Sequence, residues 1–421
     1  MSGVIAWRNG VVTAYAGSGL VFASWVSRLP AIRDDLGLTP GQVGLMLLCM
    51  SLGSFVSVAA SGLVVLRLGS KLTSRLGSII QTLGVVVVGL GATVFSEVLV
   101  VGAGLVIVGL GTGSWNTASN IEGAAVERAL GRHIMPRLHG SFSIGTVVGA
   151  GIGALAAAIH LPVAIHLSVI AILVCIAVWI GAGHYQADKL SHAASMVDVQ
   201  AETGAGSAGN AAARKNDGKA KIAAAWKDPR TLMLGVLVLG LGLAEGSAGD
   251  WVALAMADGH GSSNAVGAIG YGIFVSAMTI GRFAGTVVLD KYGRVNVLRV
   301  GAAMAVVGLG LFVFAPTQEI ALSALLLWGL GSALGFPVAM SAASDDPERA
   351  AARVSVVSTV GYGAFLGGPP LLGLLAEHVG VLHSLLAVLV LLVVAFFLTP
   401  VVRRPKYLDA AGTPATATVE M

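Results

Sequence analysis

Residues 138–187 read LHGSFSIGTVVGAGIGALAAAIHLPVAIHLSVIAILVCIAVWIGAGHYQA, fifty positions without one Asp, Glu, Lys or Arg. A helix that crosses a bilayer takes roughly 20 apolar residues, so this run holds two crossings, broken at His160-Leu161-Pro162. Working outward toward the N-terminus, residues 9–27, 36–66, 76–96 and 98–121 are each uncharged and each long enough to span. Toward the C-terminus come 231–257 (interrupted by Glu245 and Asp250), 259–281 running on to about 288, 300–318, 320–344, 354–376 and 378–402. The chain therefore reads as an all-α membrane protein of twelve transmembrane helices.

Composition agrees. The 421 residues are 56% hydrophobic and 11% charged, against about 25% charged in an average soluble domain, with mean hydropathy +0.86 and 58 glycines. A surface so poor in charge faces lipid. Glycine is common in membrane helices because it lets backbones approach closely. Cys49 and Cys175 sit in apolar runs and suggest neither a disulfide nor a metal site, and Met1–Arg8 does not read as a cleavable signal. With the N-terminus in the cytoplasm and loops assigned alternately, 23 of the 25 lysines and arginines fall inside, leaving only Arg28 and Arg33 outside. Positive charge is retained on the cytoplasmic side during insertion. The expected location is thus a bacterial inner membrane, with both termini cytoplasmic, and the excess of basic residues implies no nucleic acid.

Residues 184–228 are Ala-, Gly-, Ser- and Lys-rich with almost no aromatics, and are expected to form a disordered cytoplasmic linker. Their Gly204-Ala-Gly206-Ser-Ala-Gly209 string lacks the flanking strand and helix of a dinucleotide site. The linker divides 1–183 from 229–402, with a tail at 403–421. The two halves repeat. Gly109-Leu-Gly111 recurs as Gly329-Leu-Gly331, Arg137, Gly145 and Gly151 as Arg353, Gly361 and Gly367, and Leu66-Arg-Leu-Gly-Ser70 as Asp290-Lys-Tyr-Gly-Arg294, displaced by 216 to 224. Trp25 and Trp251 occupy matching places. Two copies of one six-helix unit suit a machine whose bundles rock about a shared central site.

Gly285…Asp290-Lys-Tyr-Gly293-Arg294 resembles the signature between the second and third helices of each half of the major facilitator superfamily. Phe22-Ala-Ser-Trp25-Val-Ser-Arg28-Leu-Pro30, His139-Gly-Ser-Phe-Ser143 and Glu245-Gly-Ser-Ala-Gly-Asp250-Trp251 are similar to a bacterial branch near the fucose permeases. The resemblance implies that fold and a cytoplasmic gate built on the signature: Arg67 and Lys71 in the first copy, where Leu66 replaces the acid, and Asp290 and Arg294 in the second. Glu127 and Arg128, beside Glu122, and Glu348 and Arg349 stand at the inner ends of the fourth and tenth spans, where the acids can hold Arg67, Lys71 or Arg353 when the cytoplasmic side is closed. The fucose-type acid before Thr117-Ala-Ser-Asn120 is replaced by Asn116.

Charged residues inside a span cost roughly 2.5–3.5 kcal/mol and are functional candidates. Glu245 lies at the midpoint of its span among Gly240, Gly242, Gly246 and Gly249, where the helix can unwind; it is either a proton carrier or a structural carboxyl bonded to a neighbouring helix. Asp250 lies about 7.5 Å further along, with Arg28 as a candidate partner. Thr112, Asn116 and Asn120 share one helix face and bind either solute or a neighbouring helix. The family's cavity-lining spans add Tyr15, Ser18, Phe22 and Trp25, with Trp251. His139 is a candidate titrating group. The Gly145, Gly149, Gly153 stripe reads as close packing.

No P-loop, HExxH or GxSxG occurs in the sequence, so neither direct ATP use nor an enzyme is expected, and no cofactor. The expected function is secondary active transport of a small polar or amphiphilic solute, sugar-like or organic, by alternating access, coupled to protons and carried out by a monomer. A drug or metabolite efflux antiporter and a non-transporting sensor on the same fold are the alternatives.

Overall fold

The computed structural model describes residues 2–131, 134–186, 222–346 and 349–404. Glu348, most of the 184–228 segment and the tail from Pro405 lie outside the described residues.

Helix α1 (Ser2–Ser27) is followed by a short α2 (Leu29–Leu36). Helix α3 (Pro40–Leu90) is 51 residues long, about 76 Å at 1.5 Å per residue, far beyond the ~30 Å apolar thickness of a bilayer. It is two crossings joined at Gly69, whose backbone stands at φ 77°, ψ 161°. That conformation is essentially restricted to glycine. Helices α4 (Val98–Leu130), α5 (Met135–Ala158) and α6 (Val163–Gly181) complete the first half. The second half repeats the plan with α7 (Pro229–Leu254), then α8 (Asn264–Val313), which turns at Gly293 with φ 75°, ψ 159°. Gly69 and Gly293 are the equivalent positions of the repeat, and they hold the same backbone angles. Helices α9 (Gln318–Ser332) and α10 (Gly335–Ala343) make the tenth crossing; α11 (Ala350–Ser384) makes the eleventh and turns at Gly380 (φ 80°, ψ 161°) into the last, which α12 (Leu386–Leu398) continues. Counting α3 and α8 as two crossings each, and the stretch from Gly380 through α12 as one, the described residues hold twelve crossings in two six-helix halves.

Two expectations change in detail. The second span starts at Pro40 rather than residue 36, because Thr39 and Gln42 form a capping box there: the Gln42 N–H donates to Thr39 Oγ1 (3.3 Å) and the Thr39 N–H to Gln42 Oε1 (2.9 Å). The tenth span is one crossing but not one helix.

Close packing follows the glycines. A Cβ at Gly145, Gly149 or Gly153 would collide with Ala16 O, Leu20 O or Ser27 Oγ, so the α5 stripe lies against α1 as its spacing predicts. The halves meet along α3–α11 and α5–α8. Gly44 of α3 rides on Pro369 and Gly373 of α11, and Gly140 of α5 lies under the Phe283 ring of α8. We call the end of the molecule that carries Gln186 and Ile222 the linker end, and the opposite one the far end.

Candidate functional site

Helices α1, α4, α5, α7 and α8 place a row of polar side chains across the middle of the molecule. In the first half, Ser18 donates to Asn116 Oδ1 (3.0 Å) and the Tyr15 hydroxyl to Asn120 Oδ1 (2.6 Å), while Asn120 Nδ2 donates to Asn116 O (2.9 Å). The i, i+4 spacing of the two asparagines makes this possible. Tyr15 meets the His139 ring of α5 edge-on at 5.2 Å between centroids. In the second half, Arg282 Nη2 of α8 donates to Glu245 Oε1 of α7 at 2.6 Å, and Arg282 Nε to Ala333 O at 3.4 Å. His139 and Arg282 are within electrostatic reach, and Gly140 and Phe283, the residues that follow them, touch. The row thus crosses from one half to the other.

Glu245 is the candidate singled out by depth, and it has a partner the sequence reading missed. Arg282 counts there as a loop charge although it lies within the eighth span. The expected unwinding at Glu245 does not occur: α7 is helical through Leu254. Its glycines admit neighbours instead, with a Cβ at Gly240 falling 2.8 Å from Leu391 O and one at Gly246 3.1 Å from the Phe365 ring. The ion pair is not sealed, for the Glu245 and Arg282 side chains are 25% and 31% exposed.

Asp250 is half-buried beside Phe365 and Pro369 of α11. The expected Arg28–Asp250 pair does not form. Arg28 turns toward the α5–α6 connection and donates from Nη2 to Leu161 O at 2.7 Å. Trp25 and Trp251 are buried, with indole N–H groups that have no protein partner. Trp25, Gln81 and Thr112 line a cavity of about 110 Å³ inside the first half.

Beyond this row, the far end is tied shut across the halves. Arg33 of α2 pairs with Asp258 and with Asp34 (2.8 Å), and Asn264 Nδ2 of α8 donates to Asp34 Oδ2 (2.9 Å). Thr39 Oγ1 donates to Glu377 Oε1 of α11 (2.8 Å). Ser51 Oγ donates to Phe365 O (3.2 Å), a carbonyl that Pro369 cannot serve within its own helix. These ties close the seam between the halves at the far end, while Asn120 and His139 of the polar row remain exposed.

At the linker end, Arg294 Nη1 donates to Asp345 Oδ1 (2.6 Å), Arg230 lies 3.4 Å from the other Asp345 oxygen, and Arg353 pairs with Asp228 (3.0 Å) and Asp346 (3.8 Å). Burial alone would push the Asp228 carboxyl up; the Thr231 hydroxyl, Arg353 and the Arg230 N–H outweigh it, and the carboxyl is held below its usual range. Lys71 Nζ donates to Gly183 O (3.1 Å), and the Glu127 carboxylate accepts the N–H groups of Ile134 (2.7 Å) and Met135 (2.8 Å), capping α5. Glu127 holds none of Arg67, Lys71 or Arg353 in this arrangement, and the grip expected when the cytoplasmic side is closed belongs to a different state. Arg67, Arg128 and Asp290 are exposed, and Arg349 stands 3.8 Å from Asp346.

The sequence profile of the Major Facilitator Superfamily matches residues 10–369. The chain belongs to that superfamily. The uncharacterized transporter y4wD of Sinorhizobium fredii is 28% identical over 393 residues, 91% of this chain and 97% of its own length. Among solved structures, the nucleoside transporter NupG superposes with TM-score 0.69 at 16% identity, covering 95% of this chain and all of its own. The E. coli fucose:proton symporter FucP does so with TM-score 0.60 at 15% identity, covering 96% and 100%. This superfamily member is a multi-pass membrane transporter and not an enzyme. Its two signature copies differ in the partner they recruit: the second sends Arg294 to Asp345, whereas in the first the matching residue, Ser70, donates to the wholly buried Glu122, which also receives the Trp7 indole and the Gln186 N–H.

Proposed function

We propose that the protein is a secondary transporter that moves a small hydroxylated or amphiphilic organic solute across the bacterial inner membrane by alternating access, with a proton bound at Glu245 as the coupling ion. The observation that carries this is the partly exposed Glu245–Arg282 pair at mid-span, in a molecule whose halves are tied together at the far end. A charge there costs roughly 2.5–3.5 kcal/mol, and a carboxylate that can lose its arginine partner by taking a proton links protonation to the state of the site. The lysine and arginine distribution supports cytoplasmic termini and a cytoplasmic 184–228 linker; in that orientation the tied far end is the outer side. Tyr15, Asn116 and Asn120 serve as hydrogen-bonding contacts to solute. Asp250, with Trp25, Trp251 and Arg28 behind it, belongs to the outer wall. Arg67, Lys71, Arg128, Asp290 and Arg349 are available to close the inner side against it. The relatives named above include one proton symporter and carriers of small solutes, which agrees with this reading.

The test is flux in proteoliposomes under an imposed pH gradient. Glu245→Gln is expected to abolish proton-driven movement while leaving solute exchange and folding intact. Unchanged pH-driven flux in that variant removes Glu245 from the coupling step.

A further inference from the structure

We propose, on the transport reading above, that the solute is a small hydroxylated carboxylic acid whose carboxylate replaces that of Glu245 on Arg282. The argument starts from what Arg282 leaves unused. A guanidinium carries five N–H donors in a planar fork that matches a carboxylate. Arg282 directs Nη2 to Glu245 and Nε to Ala333 O. With its side chain 31% exposed, the guanidinium is open to a ligand beyond these two bonds.

Charge conservation selects the ligand. With the site empty, Arg282 and Glu245 sum to zero. A carboxylate entering alone would add a net negative charge at mid-span, at a cost of roughly 2.5–3.5 kcal/mol. If Glu245 takes one proton as the solute carboxylate arrives, Glu245 becomes neutral, Arg282 pairs with the solute, and the sum is again zero. One proton and one monoanion then occupy the site together, and the loaded site moves no net charge. A neutral sugar gives no reason for the pair to open. A cationic solute would meet Arg282 and His139. The other titratable groups around the pair are Asp250 of α7, Tyr271 of α8, which is electrostatically linked to both acids, Tyr15 of α1 and His139 of α5. None of them is a second fixed cation able to neutralise an added anion.

The rest of the row sets the remainder of the class. Tyr15, Asn116 and Asn120 offer a hydroxyl and two amides to solute hydroxyls on the first-half side. Phe365, packed over Gly246, and Phe22, against Gly249, supply apolar faces on the far-end side. A carboxylate at one end, hydroxyls at the other and a carbon skeleton between describe a sugar acid.

The experiment compares matched probes on the purified full-length protein: D-gluconate with D-sorbitol and D-glucuronate with D-glucose, read as the ligand-induced rise in unfolding temperature and the Kd taken from it. At least one acid is expected to bind at least about tenfold tighter than its neutral counterpart. That preference is expected to vanish in Arg282→Gln and to survive in part in Arg282→Lys. Glu245→Gln, which mimics the protonated acid, is expected to tighten acid binding and to remove its weakening as pH rises. This last readout does not move if Arg282 and Glu245 only hold two helices together. Equal binding of acid and neutral probes, acid binding that survives Arg282→Gln, or no binding by any of the four overturns the proposal. Flux separates the two readings. Neutral sugar carried by a protein whose proton dependence rests on Glu245 overturns the acid assignment and keeps the transporter. Acid bound at Arg282 with no flux keeps the site and overturns the transporter.

Discussion

The two ends of this transporter use charge in opposite ways. At the far end, Arg33–Asp258, Asn264–Asp34 and Thr39–Glu377 each join one half to the other. At the linker end, the ion pairs among the described residues, Arg294–Asp345, Arg230–Asp345, Arg353–Asp228, Arg353–Asp346 and Arg349–Asp346, all lie inside the second half. The first kind must break each time the halves part at that end. The second kind can persist through the whole cycle, because it holds together a body that moves as one. The difference teaches which charges belong to the motion and which to the parts that move.

The largest effect should come from the second kind. The Asp345 side chain is 5% exposed and serves two arginines, so Asp345→Asn leaves two guanidiniums without their shared anion. Breaking a buried pair costs about 3–5 kcal/mol, and the 39% exposure of Arg294 reduces this toward about 2–3 kcal/mol by solvent screening. We expect a lower unfolding midpoint in detergent, followed by tryptophan fluorescence, with little change in the balance between inward- and outward-open states. A variant as stable as the wild type but displaced toward one state would show that this cluster belongs to the motion after all.

The sequence makes the scaffold legible and the partners much less so. Twelve crossings, the repeat and the α1–α5 glycine stripe follow from charge spacing and residue size, which act locally. Tyr15, Asn116 and Asn120 are recognisable because polar residues recur at helical spacing in an apolar span, and they do meet. Arg282 is lost because a count of charges by loop assigns an arginine to the nearest loop, whichever way its side chain points; Glu245, 37 positions earlier, gives no local sign of the pairing. Asp345 is passed over in favour of Glu348 and Arg349, although a signal exists. Asp345 and Asp346 follow the C-terminus of α10, where the helix dipole disfavours anions, and acids there call for cations from another element. Arg28 misleads for a geometric reason: it stands at the break between α1 and α2, and from there its guanidinium reaches the Leu161 carbonyl rather than α7.

A smaller effect, and of a different kind, is expected at the far end. Partly exposed ion pairs contribute about 0–1 kcal/mol, and the exposed hydrogen bond from Thr39 to the Glu377 carboxylate, charge-assisted but screened by solvent, about 1 kcal/mol. Asp258→Ala combined with Glu377→Ala should therefore shift the equilibrium by about 1–2 kcal/mol, roughly five- to thirtyfold in favour of the far-end-open state. Spin labels at Glu97 and Gln318, in a background with Cys49 and Cys175 replaced, report this as a growing long-distance population. The unfolding midpoint should move far less than with Asp345→Asn. If the midpoint falls as much and the distances stay put, the far-end ties are structural and the contrast between the ends collapses.

Thr39 sharpens the contrast most finely, since one hydroxyl does both jobs. It accepts the Gln42 N–H that starts α3 and donates to Glu377 across the halves. Thr39→Ala removes a helix cap, about 1 kcal/mol of local stability, together with the tie. Glu377→Ala removes the tie and leaves the cap. Both variants should widen the spin-label distances to a similar degree, because the same bond is lost. Only Thr39→Ala should also lower the unfolding midpoint, since only that variant frays the first turn of α3. Thr39→Asp restores a capping oxygen but sets an anion against the Glu377 carboxylate, so it should recover the midpoint while opening the far end further than alanine does. Stability and conformational balance would then respond separately to one atom, which is the outcome expected of a group that belongs both to a rigid half and to the seam between halves.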